Sequence, residues 1–108
     1  MYAIEPLRFD LKFEAGDKTA VGKFDHNGKV IQTIVDTKQW IGGTGVVKFC
    51  CNDKYILHEE KITPGKIDTI KEKIPFVKRG CVIVELDNPF GGEGGTITVK
   101  MFVEANKA

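Results

Sequence analysis

Strict alternation of apolar and polar residues near the N-terminus constrains the fold of this chain more than any other feature. In the segment LRFDLKFE, the apolar residues Leu7, Phe9, Leu11 and Phe13 alternate with charged residues. A period of two places the apolar side chains on one face of a β-strand and the charged side chains on the other. The same alternation returns in TITVKMFVEA, residues 96–105. Both segments are therefore predicted to be half-buried strands.

Turn signals divide the rest of the chain into further short runs. Five runs are predicted to be strands: KTAVGKF, KVIQTIVD, VVKFCC, KYILHEEK and the continuously apolar CVIVEL, which is typical of a central strand. In VVKFCC, the residues expected to face the interior are Val46 or Val47, Phe49 and Cys51. The segment DHNG, residues 25–28, is predicted to close a tight hairpin because Asn and Gly tolerate positive φ angles.

The segment KIDTIKEKIPF is compatible with two structures. Ile67, Ile70 and Ile74 lie at helical spacing, whereas the β-branched content and the preceding TPGK turn favour an extended chain. We predict a strand and keep a helix as the alternative, which would make the fold α+β.

The spacing of the predicted strands indicates the fold class. Turn signals recur about every 10–12 residues and no segment predicts a helix with equal strength. We therefore predict an all-β fold, an antiparallel β-sandwich of jelly-roll or other Greek-key type with about eight strands. A chain of 108 residues has room for one hydrophobic core, so residues 1–108 are expected to form a single β-sandwich domain.

Composition and charge exclude several classes of function. The formal net charge is +1 and the acids are interspersed among the lysines, so neither nucleic acid nor a membrane is an expected partner. No apolar run approaches the roughly 18 residues of a membrane helix. The sequence contains no serine, which excludes serine nucleophiles. Because MYAIEPLRF lacks the pattern of a secretion signal, we expect synthesis in the cytoplasm.

The three cysteines are expected to be reduced thiols. Cys50 and Cys51 are adjacent, and Cys81 makes the count odd. Cytoplasmic proteins seldom keep disulfides. The alternative is a bridge from Cys50 or Cys51 to Cys81, which requires their strands to be neighbours.

Two glycine-rich stretches are candidate contact loops. NPFGGEGG lacks the lysine of a phosphate-binding loop and precedes a strand rather than a helix, so a turn is the favoured interpretation. QWIGGTG contains the one tryptophan of the chain, for which a core position is the favoured interpretation. If these loops contact a ligand or partner, the residues to do so are Trp40, Gly42, Gly43, Phe90, Gly92 and Glu93.

His58 and Glu60 form the strongest candidate pair for metal or acid–base chemistry. Residues two apart on a strand share a face, whereas Glu59 between them points away. Two ligands do not make a metal site, and no nucleophile is placed beside them. We therefore expect no metal, no cofactor and no enzymatic activity.

These observations favour a non-catalytic structural or interaction protein. The edge strands of a sandwich must be capped or paired, and pairing with other copies is a frequent solution. The leading hypothesis is self-assembly into a homo-oligomer, or docking onto a larger protein assembly such as a virus or phage particle (virion), by analogy at the level of the fold. The alternative is a small ligand-binding module, with carbohydrate as the ligand, that uses loops at one end of the sandwich.

Overall fold

The protein folds into β-strands joined by turns. A computed structural model describes residues 2–25, 28–37, 43–52, 54–63, 65–76, 79–88, 90, 92 and 94–106. These residues contain no helix, and so none long and apolar enough to cross a membrane. Their nine strands are β1 (Tyr2–Phe13), β2 (Thr19–Asp25), β3 (Gly28–Asp36), β4 (Gly45–Cys51), β5 (Tyr55–Ile62), β6 (Ile67–Ile70), β7 (Ile74–Phe76), β8 (Arg79–Leu86) and β9 (Gly95–Asn106).

The strands form two antiparallel sheets. Sheet A has the order β1-β9-β3-β6, with β7 also paired to β3, and sheet B has the order β2-β8-β4-β5. When β6 and β7 are counted as one position beside β3, this is the eight-position strand order of a jelly roll. The predicted antiparallel sandwich of jelly-roll type is confirmed.

The hydrophobic core lies between the two sheets and is built from alternate residues of the strands. On β1, Leu11 and Phe13 are buried while Lys12 is exposed, as the alternation predicts. β1 pairs with β9 over its whole length, from Tyr2 opposite Asn106 to Phe13 opposite Gly95. This register places the apolar faces of both strands on the same side. The core residues contributed by β4, β8 and β9 are Val47, Phe49, Val82, Val84, Leu86, Ile97, Val99, Met101 and Val103.

The ambiguous segment is extended, which confirms the strand prediction. It forms two short strands, β6 and β7, that both pair with β3. Ile70 and Ile74 are buried, whereas Ile67 is 49% exposed. The three isoleucines therefore do not form one buried face, as they would on a helix. The exposed residues 71–73 separate the two strands, which is why the described residues contain nine strands rather than eight.

The prediction of a hairpin at DHNG is wrong. β2 pairs with β8 in sheet B, whereas β3 pairs with β9 in sheet A. Asp25 and Gly28 therefore belong to different sheets, and His26 and Asn27 lie outside the described residues. A local turn signal does not distinguish a hairpin between paired strands from a connection between two sheets, because the same residue types favour both.

The prediction of reduced thiols is wrong for two of the three cysteines. Cys50 and Cys81 lie directly opposite each other on β4 and β8. Their Cα atoms are 5.0 Å apart and their sulfur atoms are bonded. Cys51 does not take part in this disulfide and is only partly buried, so it is Cys50 rather than Cys51 that is enclosed. The sequence alone could not decide whether Cys81 forms a disulfide, because that depends on whether β4 and β8 are neighbours in the sheet.

Candidate functional site

The two glycine-rich loops meet at one end of the sandwich. The backbone N–H of Asp87 donates to the carbonyl oxygen of Thr44 over 2.8 Å, and the Thr44 hydroxyl donates to the Asp87 carboxylate. A β-carbon placed on Gly43 would lie 2.7 Å from Cβ of Asn88, so the two loops approach too closely for a larger residue. Of the predicted contact residues, Trp40, Gly42 and Glu93 lie outside the described residues.

Phe90 points into the core at this end of the sandwich. Its side chain is 7% exposed, and its ring centroid lies 5.7 Å from that of Phe13. Its carbonyl oxygen accepts a hydrogen bond from the N–H of Gly16, and a β-carbon on Gly95 would overlap the Phe90 ring. Phe90 thus anchors the loop and offers no aromatic surface to a ligand. Gly92 is exposed, and its contact role stays a prediction.

His58 and Glu60 lie side by side on β5, as their spacing predicts. His58 Nε2 is 2.9 Å from Glu60 Oε1, and the His58 ring centroid is 6.2 Å from that of Phe49. Nowhere in the described part of the chain do three or more His, Cys, Asp or Glu side chains lie close enough to hold a metal ion. The two side chains make a polar contact beside Phe49, with His58 24% and Glu60 42% exposed.

A row of apolar side chains crosses the outer face of sheet B. On β8, Val82 and Val84 enter the core, so the alternate residues Cys81 and Ile83 face away from it. Directly opposed residues share a face of a sheet. Ile83 lies opposite Val21 on β2 and Lys48 on β4, whereas Cys81 lies opposite Lys23 on β2 and Cys50 on β4. Cys50 in turn lies opposite Ile56 on β5, so the apolar members of these pairs form a diagonal row. We call this row the apolar strip, and its members are Val21, Ile83, Cys81, Cys50, Ile56 and Leu57.

The side chains at the two ends of the apolar strip are exposed, and the two cysteines in its middle are buried. Val21 on β2 is 45% exposed, and Ile56 and Leu57 on β5 are 49% and 41% exposed. The disulfide between them is buried. Leu57 is the extra residue of a bulge in β5, because the pairing with β4 moves from His58 directly to Ile56. A signal for this surface was present in KYILHEEK, since consecutive apolar residues break the alternation of a half-buried strand.

Exposed apolar side chains concentrate on the edge strands of both sheets. Edge strands present unpaired N–H and C=O groups that can pair with another chain. In the described residues every large apolar side chain that is exposed lies on β1, β2, β5 or β6, and these side chains are Ile4, Val21, Tyr55, Ile56, Leu57 and Ile67. β5 carries three of them in succession, so its edge is the most apolar of the four.

The outer face of sheet A carries a groove of about 240 Å³, which is polar along β1 and β9. It is lined by Arg8, Ile34, Asp36, Ile67, Thr98 and Lys100. Beside it, Asp10 Oδ1 accepts a hydrogen bond from Thr98 Oγ1 over 2.8 Å and another from Arg8 Nε over 3.1 Å. These two hydrogen bonds, that of Thr98 first, lower the pKa of the Asp10 carboxyl group below its ordinary value.

Comparison with known proteins identifies the fold but no family. No protein-family model matches the sequence. A search of curated proteins also finds no match. Among solved structures, a subunit of Bacillus endospore appendages, described as disulfide-linked pili, matches with a TM-score of 0.56 and 10% sequence identity. This match covers 98% of the present chain and 92% of the appendage subunit.

Two further structures match only part of a larger protein. An arabinose-bound α-L-arabinofuranosidase matches with a TM-score of 0.53 and 13% identity, over 95% of this chain but only 23% of the enzyme. The infectious bursal disease virus VP2 subviral particle matches with a TM-score of 0.43 and 9% identity, over 95% of this chain and 33% of VP2. At these identities the resemblance is one of fold alone.

Proposed function

We propose that the protein is a non-catalytic structural subunit that assembles with further copies of itself through the apolar strip and the adjoining edge of β5. The observation that carries this proposal is the exposure of Val21, Ile56 and Leu57 around a buried disulfide on an otherwise polar sheet face. An exposed apolar patch with a polar rim is typical of a protein interaction site. Here the rim includes Lys48 and Glu85, whose charged groups lie 3.0 Å apart.

Burial of the strip supplies part of the free energy of association. Complete burial of one aliphatic side chain is worth about 1.5–3 kcal/mol relative to full exposure. Val21, Ile56 and Leu57 are each a little under half exposed, so covering all three contributes roughly 2–4 kcal/mol. Association costs about 4 kcal/mol or more in lost translational and rotational freedom. If the strips of two copies cover each other, this gain doubles to roughly 4–8 kcal/mol, which leaves little net free energy after the cost of association.

The edge of β5 supplies the additional contacts. Among the described strands β5 pairs only with β4, so the other edge of its eight-residue backbone has no strand partner there. Addition of a strand from another copy would satisfy these groups and cover Tyr55, which is 58% exposed. The bulge at Leu57 interrupts a regular ladder, which restricts the positions at which a second strand can pair.

A particle or surface appendage is the kind of assembly that we propose, with a virus or phage particle as the leading hypothesis. The same fold occurs in the Bacillus appendage subunit over nearly the whole of both chains. We propose synthesis in the cytoplasm. The Cys50–Cys81 disulfide favours final residence outside a reducing compartment, because glutathione and thioredoxin keep cytosolic thiols reduced.

The experiment is a measurement of mass in solution by light scattering on a gel-filtration column at two protein concentrations. We expect a defined multiple of the monomer mass that persists or grows at the higher concentration. The variant Ile56→Lys should shift the protein towards monomer because it places a charge in the apolar strip. Ile67→Lys is the matched control, since Ile67 is the same residue type with the same 49% exposure but lies on β6.

Two outcomes would contradict the proposal. A monomer at both concentrations would exclude self-assembly as the function. Equal loss of assembly in Ile56→Lys and Ile67→Lys would remove the apolar strip as the interface.

A further inference from the structure

The groove on sheet A contains two cations that repel each other. Arg8 on β1 lies directly opposite Lys100 on β9, and both side chains are exposed. Like charges in directly opposed positions destabilise a pair of strands. No ion pair joins Lys100 to a carboxylate within the described residues, whereas Arg8 pairs with Asp10 through Nε. A bound anion between the two cations would remove this repulsion.

Arg8 is held in position to bind such an anion. The hydrogen bond from Arg8 Nε to Asp10 Oδ1 fixes one edge of the guanidinium group, and Thr98 Oγ1 donates to the same oxygen. Within the described part of the chain, Arg8 forms an ion pair with Asp10 and with no other carboxylate. A guanidinium group whose orientation is already fixed loses less conformational entropy when it binds a carboxylate.

The rest of the groove identifies the chemistry of the ligand. Ile34 and Ile67 provide an apolar wall, and Ile67 is 49% exposed. Asp36 and Thr98 provide oxygen atoms that accept hydrogen bonds. The ligand that matches this lining has one carboxylate, an apolar face and several hydroxyl groups. Hexuronate units, the acidic sugars of many polysaccharides, have all three.

We propose that this groove is a binding site for a uronate unit of an acidic polysaccharide. The carboxylate lies between Arg8 and Lys100, the apolar face of the sugar ring packs on Ile34, and its hydroxyl groups donate to Asp36. Arg8, Lys100 and Asp36 give the lining a formal charge of +1, and Asp10 beside it pairs with Arg8, so a monoanionic carboxylate is favoured over a dianionic phosphate. An acidic peptide lacks the row of hydroxyl groups that Asp36 accepts. The site is independent of the proposed assembly, which uses the opposite face of the sandwich.

Isothermal titration calorimetry with tri-galacturonate tests the proposal. We expect binding that weakens as sodium chloride is raised, because the interaction is between exposed charges. Arg8→Gln and Lys100→Gln should each lower the affinity about tenfold or more, since each removes a charged hydrogen-bond donor. Lys12→Gln is the matched control. It removes the same charge from the same strand and sheet face, outside the groove.

Three further measurements decide between the proposal and its alternatives. The neutral galactose trimer should bind at least tenfold more weakly than tri-galacturonate, and poly-L-glutamate should not compete with it. Circular dichroism should show that all three variants keep the β-fold, because the substituted side chains are exposed.

Absence of tri-galacturonate binding would overturn the proposal, as would an equal loss of affinity in Lys12→Gln. Equal binding of the neutral trimer would show that the cations do not select the ligand. Equal binding of poly-L-glutamate would assign the groove to an acidic peptide instead. None of these outcomes bears on the mass in solution, so the assembly and the saccharide site are tested separately.

Discussion

Two buried threonines on and beside β3 should respond in opposite directions to the same substitution. Thr33 and Thr37 are both 0% exposed. Thr37 Oγ1 lies 2.7 Å from the carbonyl oxygen of Thr63 and 2.8 Å from that of Lys66. Its backbone N–H also donates to Lys66, and the N–H of Gly65 donates to its carbonyl. Thr37 therefore ties the end of β3 to the turn before β6.

Thr37→Val is expected to lower the free energy of unfolding by about 1–3 kcal/mol. Valine has nearly the shape of threonine, so the substitution deletes the hydroxyl group without opening a large cavity. The hydroxyl proton is then no longer shared between the carbonyl oxygens of Thr63 and Lys66, and the Lys66 N–H loses Thr37 Oγ1 as its acceptor. The backbone hydrogen bonds of Thr37 remain, so the turn should weaken rather than unfold.

Thr33→Val is the matched control and should have the opposite sign. Thr33 lies in the core, and its hydroxyl group has no hydrogen-bond partner among the described residues. A buried hydroxyl without a partner costs about 1–3 kcal/mol. Valine removes that cost, so Thr33→Val should raise the free energy of unfolding by about 1 kcal/mol.

Urea unfolding followed by far-ultraviolet circular dichroism measures both changes. For a domain of this size, 2 kcal/mol shifts the midpoint by about 1 M urea, while the slope stays constant. We expect the midpoint of Thr37→Val below that of the wild type and the midpoint of Thr33→Val above it. Equal destabilisation by both substitutions would refute this account of the two hydroxyl groups.

Two further predictions concern the disulfide and a glycine. Joint replacement of Cys50 and Cys81 by alanine should lower the free energy of unfolding by about 3–4 kcal/mol, from loop entropy at a separation of 31 residues, whereas Cys51→Ala should change it by less than about 1 kcal/mol. Thiol titration of unreduced, unfolded protein should find one reactive thiol, and three would contradict the bridge. Gly94→Ala should destabilise by about 2 kcal/mol or more, because φ is +78° and a β-carbon would overlap the backbone carbonyl at the end of β1. Gly65→Ala, with φ +74° and open space around it, should cost about 1 kcal/mol, and equal melting temperatures of the two variants would exclude the overlap as the cause.

The faces of the strands could be predicted from the sequence because alternation is a local property. Leu11 and Phe13 are buried and Lys12 is exposed whatever strand lies beside β1, since successive side chains point to opposite sides. The same reasoning placed His58 and Glu60 on one face. Segment 67–76 was predicted as a strand for a local reason too, the β-branched content after a turn.

Tertiary structure decided what depends on which strands are neighbours. The strands on either side of DHNG, β2 and β3, belong to different sheets, and the Cys50–Cys81 disulfide exists because β4 and β8 are adjacent. The groove that contains Arg8 and Lys100 likewise forms only where β1, β9, β3 and β6 lie side by side. Strand order in a jelly roll is set by burial of both apolar faces together. That is a property of the whole chain, which no short window of sequence contains.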